Sequence, residues 1–353
     1  MGGRLTLGLA LLGLSFAVTQ TSASAAQLVL DKTSGCKIVD EEAAPDRIAH
    51  WNGPCVKGVA EGTGTAEFLA GDVVLRRVEA SFSQGVAIGP VKLTRYKNGA
   101  VTTVTEFTRG NGADESLQKV SFYREGAVSS IETGKWSGGK LNGQCSVERY
   151  AGGTMVKSYS GTCVNGVPAG TAKVRLYATS PSHDLLYEGA YVAGKLDGQG
   201  QSSEVLTAAP AKPAEACLKA GDVTWHYDGG WKANAMNGAG TIESHFCVTM
   251  DGAVHHVDMK ATGSWIDGAQ DGEALAEFAT DGAAPTKIKR VFDHGTLVSE
   301  VLADPPPVTA VKDSSNKEEI SSKEALCKKT PFLCGDHAFD SAPFLNGAGA
   351  AHL

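Results

Sequence analysis

The fold is decided by a short stretch that reads YEGAYVAGKLDGQG between residues 187 and 200. Its central glycine belongs to a series that recurs along the chain with a spacing of 27 or 28 residues over its first six members. A fixed period of this length is typical of architectures in which one small module is repeated many times. The turn positions that we single out from this series are Gly58, Gly85, Gly139, Gly166, Gly194, Asn234 and Gly268.

The residues around each turn position repeat as well. An aromatic residue or a cysteine usually stands three positions before it, glycine two positions before that ring, and glycine again four positions after the turn. A second turn, as in Asn98-Gly99, lies midway between successive turn positions, so each unit has two strands and two turns. We expect each ring to stack on the hairpin of the next unit, and these rings are Phe82, Trp136, Tyr191, Trp231 and Trp265.

The residue types at the turns indicate the backbone conformation. Glycine is expected where φ is positive and a Cβ atom would be costly, and Asn234 is the residue that best replaces it there. Segments such as residues 173–177 alternate polar and apolar side chains, which is typical of strands. Because one hairpin cannot bury its apolar face alone, the units must stack. The sequence therefore predicts an all-β protein.

This pattern resembles the MORN repeat family, most plainly in residues 187–200, 134–143 and 227–231. Seven motifs fit well, starting at Gly53, Ala80, Gly134, Gly161, Gly189, Gly229 and Gly263, and two degenerate ones lie around Gly112 and Gly295. The resemblance implies an elongated, twisted antiparallel sheet of stacked hairpins. It also implies a scaffold, a dimerisation surface or a lipid-contacting surface that carries no catalytic residues of its own.

Eight cysteines point to disulfides in an oxidising compartment. Their spacing favours neighbouring pairs. The sequence contains no C-x2-C pair, which is the spacing that would suggest a zinc site. Two of them, Cys55 and Cys163, stand where an aromatic ring is usual, which fits covalent staples that replace stacking. The expected pairs are Cys36 with Cys55, Cys145 with Cys163, Cys217 with Cys247, and Cys327 with Cys334.

The chain divides into four predicted regions. Residues 1–26 combine Arg4, an apolar run and small residues before Ala26, which predicts a cleavable signal peptide and a periplasmic or secreted protein. Residues 27–49 are expected to form an N-terminal cap, and residues 50–300 an array of about nine units, two of them degenerate. Insertions break the period near Ser202–Leu218, expected to be a surface loop, and near His245–Met259. Residues 301–353 are predicted to be a disordered linker with a small tail closed by cysteines.

No catalytic motif emerges from the sequence. It lacks the G-x-S-x-G elbow of hydrolases and a P-loop lysine that opens a helix. On a strand His256 and Asp258 would share one face, with His255 opposite, and we interpret all three as exposed polar residues. We therefore predict no enzyme, no cofactor and no metal site.

The function predicted from the sequence is a non-catalytic binding or scaffolding module in the cell envelope. Its partner would be an unidentified protein, lipid or glycan, and a homodimer is an open alternative. The formal net charge of −7 disfavours nucleic acid as a partner. Two other functions stay open: a hydrolase that acts on envelope polymers through a groove on the sheet, and a membrane-surface protein. The latter would use basic clusters: Lys92, Arg95 and Lys97; Lys173 and Arg175; and Lys287, Lys289 and Arg290.

Overall fold

A computed structural model describes residues 26–303 apart from residues 43, 45, 111, 113, 181, 182 and 211. Within these residues the regular structure consists of 22 strands and one 3₁₀ turn at Pro213–Glu215, which confirms the all-β class. The predicted signal peptide lies almost wholly outside the described residues. The predicted tail, with Cys327 and Cys334, does so too.

The chain divides into two compact units, with the boundary between Ala87 and Ile88. In the first unit, β1, β2, β5 and β4 form a small sheet in that order, in which β2 and β5 run parallel. A separate antiparallel set pairs β6 with both β3 and β7. The strands are β1 (Gln27–Leu30), β2 (Lys37–Asp40), β3 (Arg47–Asn52), β4 (Cys55–Val56), β5 (Val59–Ala60), β6 (Gly62–Ala70) and β7 (Val73–Ser83).

The first unit is held together by a disulfide and by buried polar contacts. The predicted pair Cys36–Cys55 is confirmed and joins the segment before β2 to β4. Asp40 is fully buried and pairs with the guanidinium of Arg76, which is itself buried. A buried charge of this kind is tolerated because an opposite charge compensates it.

The second unit is one antiparallel sheet in which each strand pairs with the next along the chain, from β8 to β22. The predicted antiparallel sheet of consecutive hairpins is thus confirmed. The strands are β8 (Val86–Lys97), β9 (Ala100–Arg109), β10 (Leu117–Arg124), β11 (Ala127–Ser137), β12 (Lys140–Ala151), β13 (Thr154–Val164), β14 (Val167–Ser180), β15 (His183–Val192), β16 (Lys195–Leu206), β17 (Val223–Lys232), β18 (Ala235–Met250), β19 (Ala253–Ile266), β20 (Ala269–Thr280), β21 (Thr286–Asp293) and β22 (Thr296–Leu302).

All seven turn positions have a positive φ, between +74° and +87°. The residue before each of them also has a positive φ, between +50° and +57°. Two successive residues of this kind define a type I′ turn, whose twist matches the right-handed twist of the two strands that it joins. Asn234, with a φ of +77°, adopts the same conformation as the glycines.

The turns also connect successive repeat units, each of which consists of two strands and two turns. The N–H of Gly194 donates to the carbonyl of Pro168, which lies two residues after the preceding turn position, at 2.9 Å. The N–H groups of Gly166, Asn234, Gly268 and Gly295 donate to carbonyls at the same offset, over 2.8–3.0 Å. Each of these turns therefore donates its N–H to a backbone carbonyl of the repeat unit before it, which fixes the register between repeat units.

The first insertion begins later than the sequence predicted, and the second, for which no structure was predicted, lengthens a hairpin. The first loop begins at residue 207, not at Ser202, because Ser202 to Val205 still pair with β17. The confirmed disulfide Cys217–Cys247 ties this loop to β18. The second insertion forms no loop: residues 245–259 lie in β18 and β19 and in the tight turn between them, and they lengthen that hairpin.

Candidate binding surface

One face of the second sheet carries a continuous chain of buried rings, which we call the aromatic ladder. Tyr187 contacts Tyr191 of its own repeat unit and Trp231 of the next repeat unit. In both pairs the ring centroids are 5.5 Å apart and the ring planes are nearly perpendicular. Tyr227 makes the equivalent contacts with Trp231 at 5.3 Å and with Trp265 at 5.4 Å. Edge-to-face pairs of this kind contribute roughly 0.5–1.5 kcal/mol each beyond their buried area. The ladder consists of Tyr159, Tyr191, Tyr187, Trp231, Tyr227 and Trp265.

The ladder corrects the expected direction of stacking. Tyr191, Trp231 and Trp265 each pack on a tyrosine of the preceding unit, whereas the sequence suggested the next hairpin. The tyrosines at the three joints were not singled out from the sequence. The available signal was their constant place two residues before the repeated glycine, as in Tyr187-Glu188-Gly189.

Paired glycines make room for these tyrosines. Gly189 lies opposite Gly200 on the neighbouring strand, and the ring of Tyr187 covers both of them. A Cβ atom on Gly189 would come within 2.6 Å of the Tyr187 hydroxyl and 2.5 Å of the Gly200 Cα. The repeated glycine is therefore required by close packing, in addition to the glycines that serve the turns.

The tyrosines at the three joints, Tyr159, Tyr187 and Tyr227, each donate their hydroxyl to a backbone carbonyl. The Tyr227 hydroxyl donates to the carbonyl of Gly230 at 2.9 Å, and the Tyr159 hydroxyl donates to that of Thr162 at 2.6 Å. Burial raises the pKa of Tyr187 and of Tyr227 to about 12, and it raises the pKa of Tyr191 further. These rings belong to the structural core, so they do not present a free binding face.

The other two predicted rings lie outside the ladder. Phe82, in the first compact unit, is buried. Its ring meets that of Trp51 edge to face, with the ring centroids 4.7 Å apart. Trp136 is half-buried, and its ring centroid lies 6.4 Å from that of Phe122 on β10. Beyond Tyr159 the ring position is held by Cys163, whose predicted disulfide with Cys145 is confirmed and joins β12 to β13.

The opposite face carries polar side chains in register, which we call the polar row. Direct partners in successive strands follow one another from β12 to β19. Several are linked by side-chain bonds: Lys173 pairs with Glu188 at 2.8 Å, and Gln201 donates to Asp228 at 3.0 Å. The polar row consists of Ser146, Ser160, Lys173, Glu188, Gln201, Asp228, Thr241 and Thr262.

An open groove of about 450 Å³ lies over the first five positions of the polar row. Hydroxyl groups are prominent along it, contributed by Ser146, Ser158, Ser160 and Ser203. Hydroxyl, amide and paired charged groups offer both donors and acceptors over several strands. This arrangement can bind an extended polar ligand through many weak hydrogen bonds.

The carboxylates in the groove already have partners. Glu188 is paired with Lys173, and Glu148 accepts a hydrogen bond of 2.6 Å from the hydroxyl of Tyr150. This hydrogen bond is the main reason that the pKa of Tyr150 is raised, and burial is the second reason.

The basic clusters singled out from the sequence are largely compensated by acidic neighbours. Arg175 pairs with Asp184 at 2.6 Å, and Lys287 pairs with Glu277 at 3.4 Å. Arg290 is buried and pairs with Glu300 at 2.7 Å. Lys92, Arg95 and Lys97 lie on β8, and Lys289 lies on β21 next to Arg290.

The histidines that the sequence singled out are separated as expected. His256 and Asp258 lie on one face together with His245 of the neighbouring strand. His255 points to the other face, where its Nδ1 lies 2.6 Å from a carboxylate oxygen of Asp281.

Comparison with known families supports the resemblance at two units. The MORN repeat family model matches residues 187–202 and 227–244, which contain the joints of the aromatic ladder at Tyr187 and Tyr227. A search of curated proteins returned no match to the chain. The chain thus contains MORN repeats at these two positions. Repeats of this type are generally modules that bind proteins or membranes, which is consistent with a non-catalytic module.

Two further observations bear on where the protein works. The three disulfides indicate an oxidising, extracellular or periplasmic environment. No helix within the described part of the chain is long and apolar enough to cross a membrane.

Proposed function

We propose that the chain is an exported, non-catalytic repeat protein that binds or scaffolds a polar partner in the cell envelope through the polar row and its groove. The observation that carries this proposal is the difference between the two faces of the sheet in the second compact unit. The rings of the aromatic ladder are buried against one another, whereas the polar row presents exposed side chains such as Ser160 and Gln201 in strict register.

The partner that fits best is an extended protein segment or a glycan. Both carry alternating donors and acceptors that can follow a row of hydroxyl, amide and charged groups across successive strands. The Lys173–Glu188 salt bridge pairs two of the three charged side chains of the row, so a strongly charged partner has little to gain there. A non-catalytic role is supported by the groove carboxylates, which are already paired.

Site-specific photocrosslinking in the native envelope tests this function. A photoreactive residue at Ser160 or at Gln201 should capture the same discrete adduct, which mass spectrometry then identifies. The matched control is Asp251, which is exposed at the tip of the β18–β19 hairpin and far along the sheet from the groove. Absence of an adduct at both groove positions, or an identical set of adducts at all three positions, would contradict the proposal.

Two assays address the alternatives. Activity on peptidoglycan, esters or glycosides that is lost in a Glu148→Gln variant would favour a hydrolase over a binding module. Flotation with anionic liposomes that weakens as salt increases would favour a membrane-surface protein. Fractionation of the expressing cells, with sequencing of the mature N-terminus, tests export and cleavage near Ala26.

A further inference from the structure

Two histidines and an aspartate converge on one face of the long β18–β19 hairpin. His245 and Asp258 are direct cross-strand partners, and His256 lies two residues before Asp258, on the same face. The Nδ1 atoms of His245 and His256 lie 2.5 Å and 3.6 Å from the Oδ1 atom of Asp258. The two imidazole rings are nearly parallel, with centroids 6.0 Å apart. One donor atom from each residue lies within 4.8 Å of the other two.

The neighbouring lysine on this face pairs with another carboxylate, so the ionisable partners of Asp258 are the two imidazoles. Lys260, the next residue along β19 on this face, donates to Glu243 at 2.8 Å. In the part of the chain that the structure describes, no lysine or arginine forms a salt bridge with Asp258. The carboxylate therefore has no fixed cation, which makes it available to a metal ion.

The backbone beneath these side chains is regular and held in place. The β18–β19 pairing runs from Gly238 to Met250 without a register shift. Cys247, directly opposite His256, is linked by its disulfide to Cys217. Ligands on paired strands keep their spacing better than ligands on loops.

The donor set suits a divalent transition metal. Zinc binds imidazole nitrogen and carboxylate oxygen at about 2.0–2.2 Å, so neighbouring donors of a tetrahedral site are separated by roughly 3.3 Å. The observed separations of 2.5 Å and 3.6 Å lie on either side of that value, so small rotations of the side chains suffice. All three side chains are about 35–40% exposed, which gives an ion a path from solvent.

We infer that His245, His256 and Asp258 form a binding site for a divalent transition-metal ion, with zinc as the natural probe. Three protein ligands leave the fourth position of a tetrahedral ion open to water or to a group on another molecule. This site was not expected from the sequence, because His245 comes onto the same face only through the pairing of β18 with β19. The inference is independent of the function proposed for the polar row.

Metal titration of the mature, disulfide-bonded protein tests this site. Zn²⁺ binding is measured by calorimetry, and Co²⁺ binding by the visible absorption bands of a four-coordinate ion. We expect His256→Ala and Asp258→Asn each to weaken the affinity at least about tenfold, because even the loss of an outer-shell partner costs 10–100-fold. The use of two variants at different positions covers the case in which one of them fails to fold.

The chain supplies a matched control in His255→Ala. This residue is adjacent to His256 on the same strand, but it faces the other way and pairs with Asp281. Its removal should leave zinc affinity and the cobalt spectrum unchanged. A second control, His294→Ala, excludes binding at the more exposed group of Asp271, Asp293 and His294. Equal affinity of the parent, His256→Ala and Asp258→Asn proteins, or an equal loss in His255→Ala, would overturn the inference.

Discussion

Asn234 and Leu196 are joined by two reciprocal hydrogen bonds across successive units. The N–H of Asn234 donates to the carbonyl of Leu196 at 3.0 Å, and the side-chain Oδ1 of Asn234 accepts from the N–H of Leu196 at 2.8 Å. Glycine at this turn position makes only the first bond. The asparagine therefore adds an interaction while it adopts the same backbone conformation.

This pair predicts a graded response to substitution at position 234. Asn234→Gly should lower the free energy of unfolding by about 1 kcal/mol, because one hydrogen bond is lost. Asn234→Ala should cost roughly 1–2 kcal/mol more, because alanine is strained at the φ of +77°. Urea unfolding followed by tryptophan fluorescence measures the order. An alanine variant as stable as the glycine variant would show that the strain is absent.

Glycines beneath the aromatic ladder should be more sensitive than glycines in open turns. Gly229→Ala places a Cβ atom 2.7 Å from the Gly240 Cα and against the ring of Tyr227, so we expect a loss of about 1–3 kcal/mol from overpacking, or more. Gly282→Ala is the comparison, because no atom lies within 4 Å of its new Cβ and it costs only the roughly 1–2 kcal/mol of backbone strain at its positive φ. Thermal unfolding compares the two, and an equal or smaller effect at position 229 would contradict the packing argument.

The Cys145–Cys163 bridge should be partly replaceable by a ring. A double alanine variant should lose roughly 3 kcal/mol of stability, as expected for a closed loop of this length. A cavity of about 160 Å³, lined in part by Cys163, Tyr159 and Tyr191, lies beside the bridge. We therefore expect Cys145→Ala with Cys163→Phe to recover part of the loss. Denaturant midpoints measure this, and a phenylalanine variant below the double alanine variant would refute it.

Buried tyrosines should make the protein sensitive to alkali. The pKa of Tyr187 and of Tyr227 is raised by burial to about 12 from the ordinary value of 10.0, so the native state retains protons that the unfolded state releases. This contribution to stability is fully present below about pH 10 and is lost as the pH rises through about 12. Tyrosinate absorbance and unfolding midpoints, measured at about pH 9 and about pH 11, test the effect. Tyr227→Phe should flatten the dependence, and an unchanged slope would count against it.

The sequence predicted the features that depend on local backbone conformation. A positive φ restricts the residue type directly, so the turns at Gly194 and Asn234 could be inferred without knowledge of their neighbours. The three disulfides followed from spacing alone, because each pair is close along the chain.

Features that depend on pairing between strands could not be predicted in the same way. Tyr187 and Trp231 are 44 residues apart, and their contact depends on which strands become neighbours. The polar row likewise requires the exact register, since a slip of one residue would turn Glu188 and Lys173 to the other face. His245 and Asp258 meet for the same reason.

The turn-to-carbonyl hydrogen bond, made at one fixed offset by each of five successive units, has a consequence for how such a protein arises. A gene segment that encodes one module can be duplicated in tandem, and the new copy finds its docking partner already present in the old one. Length can then change by whole modules while every joint stays the same.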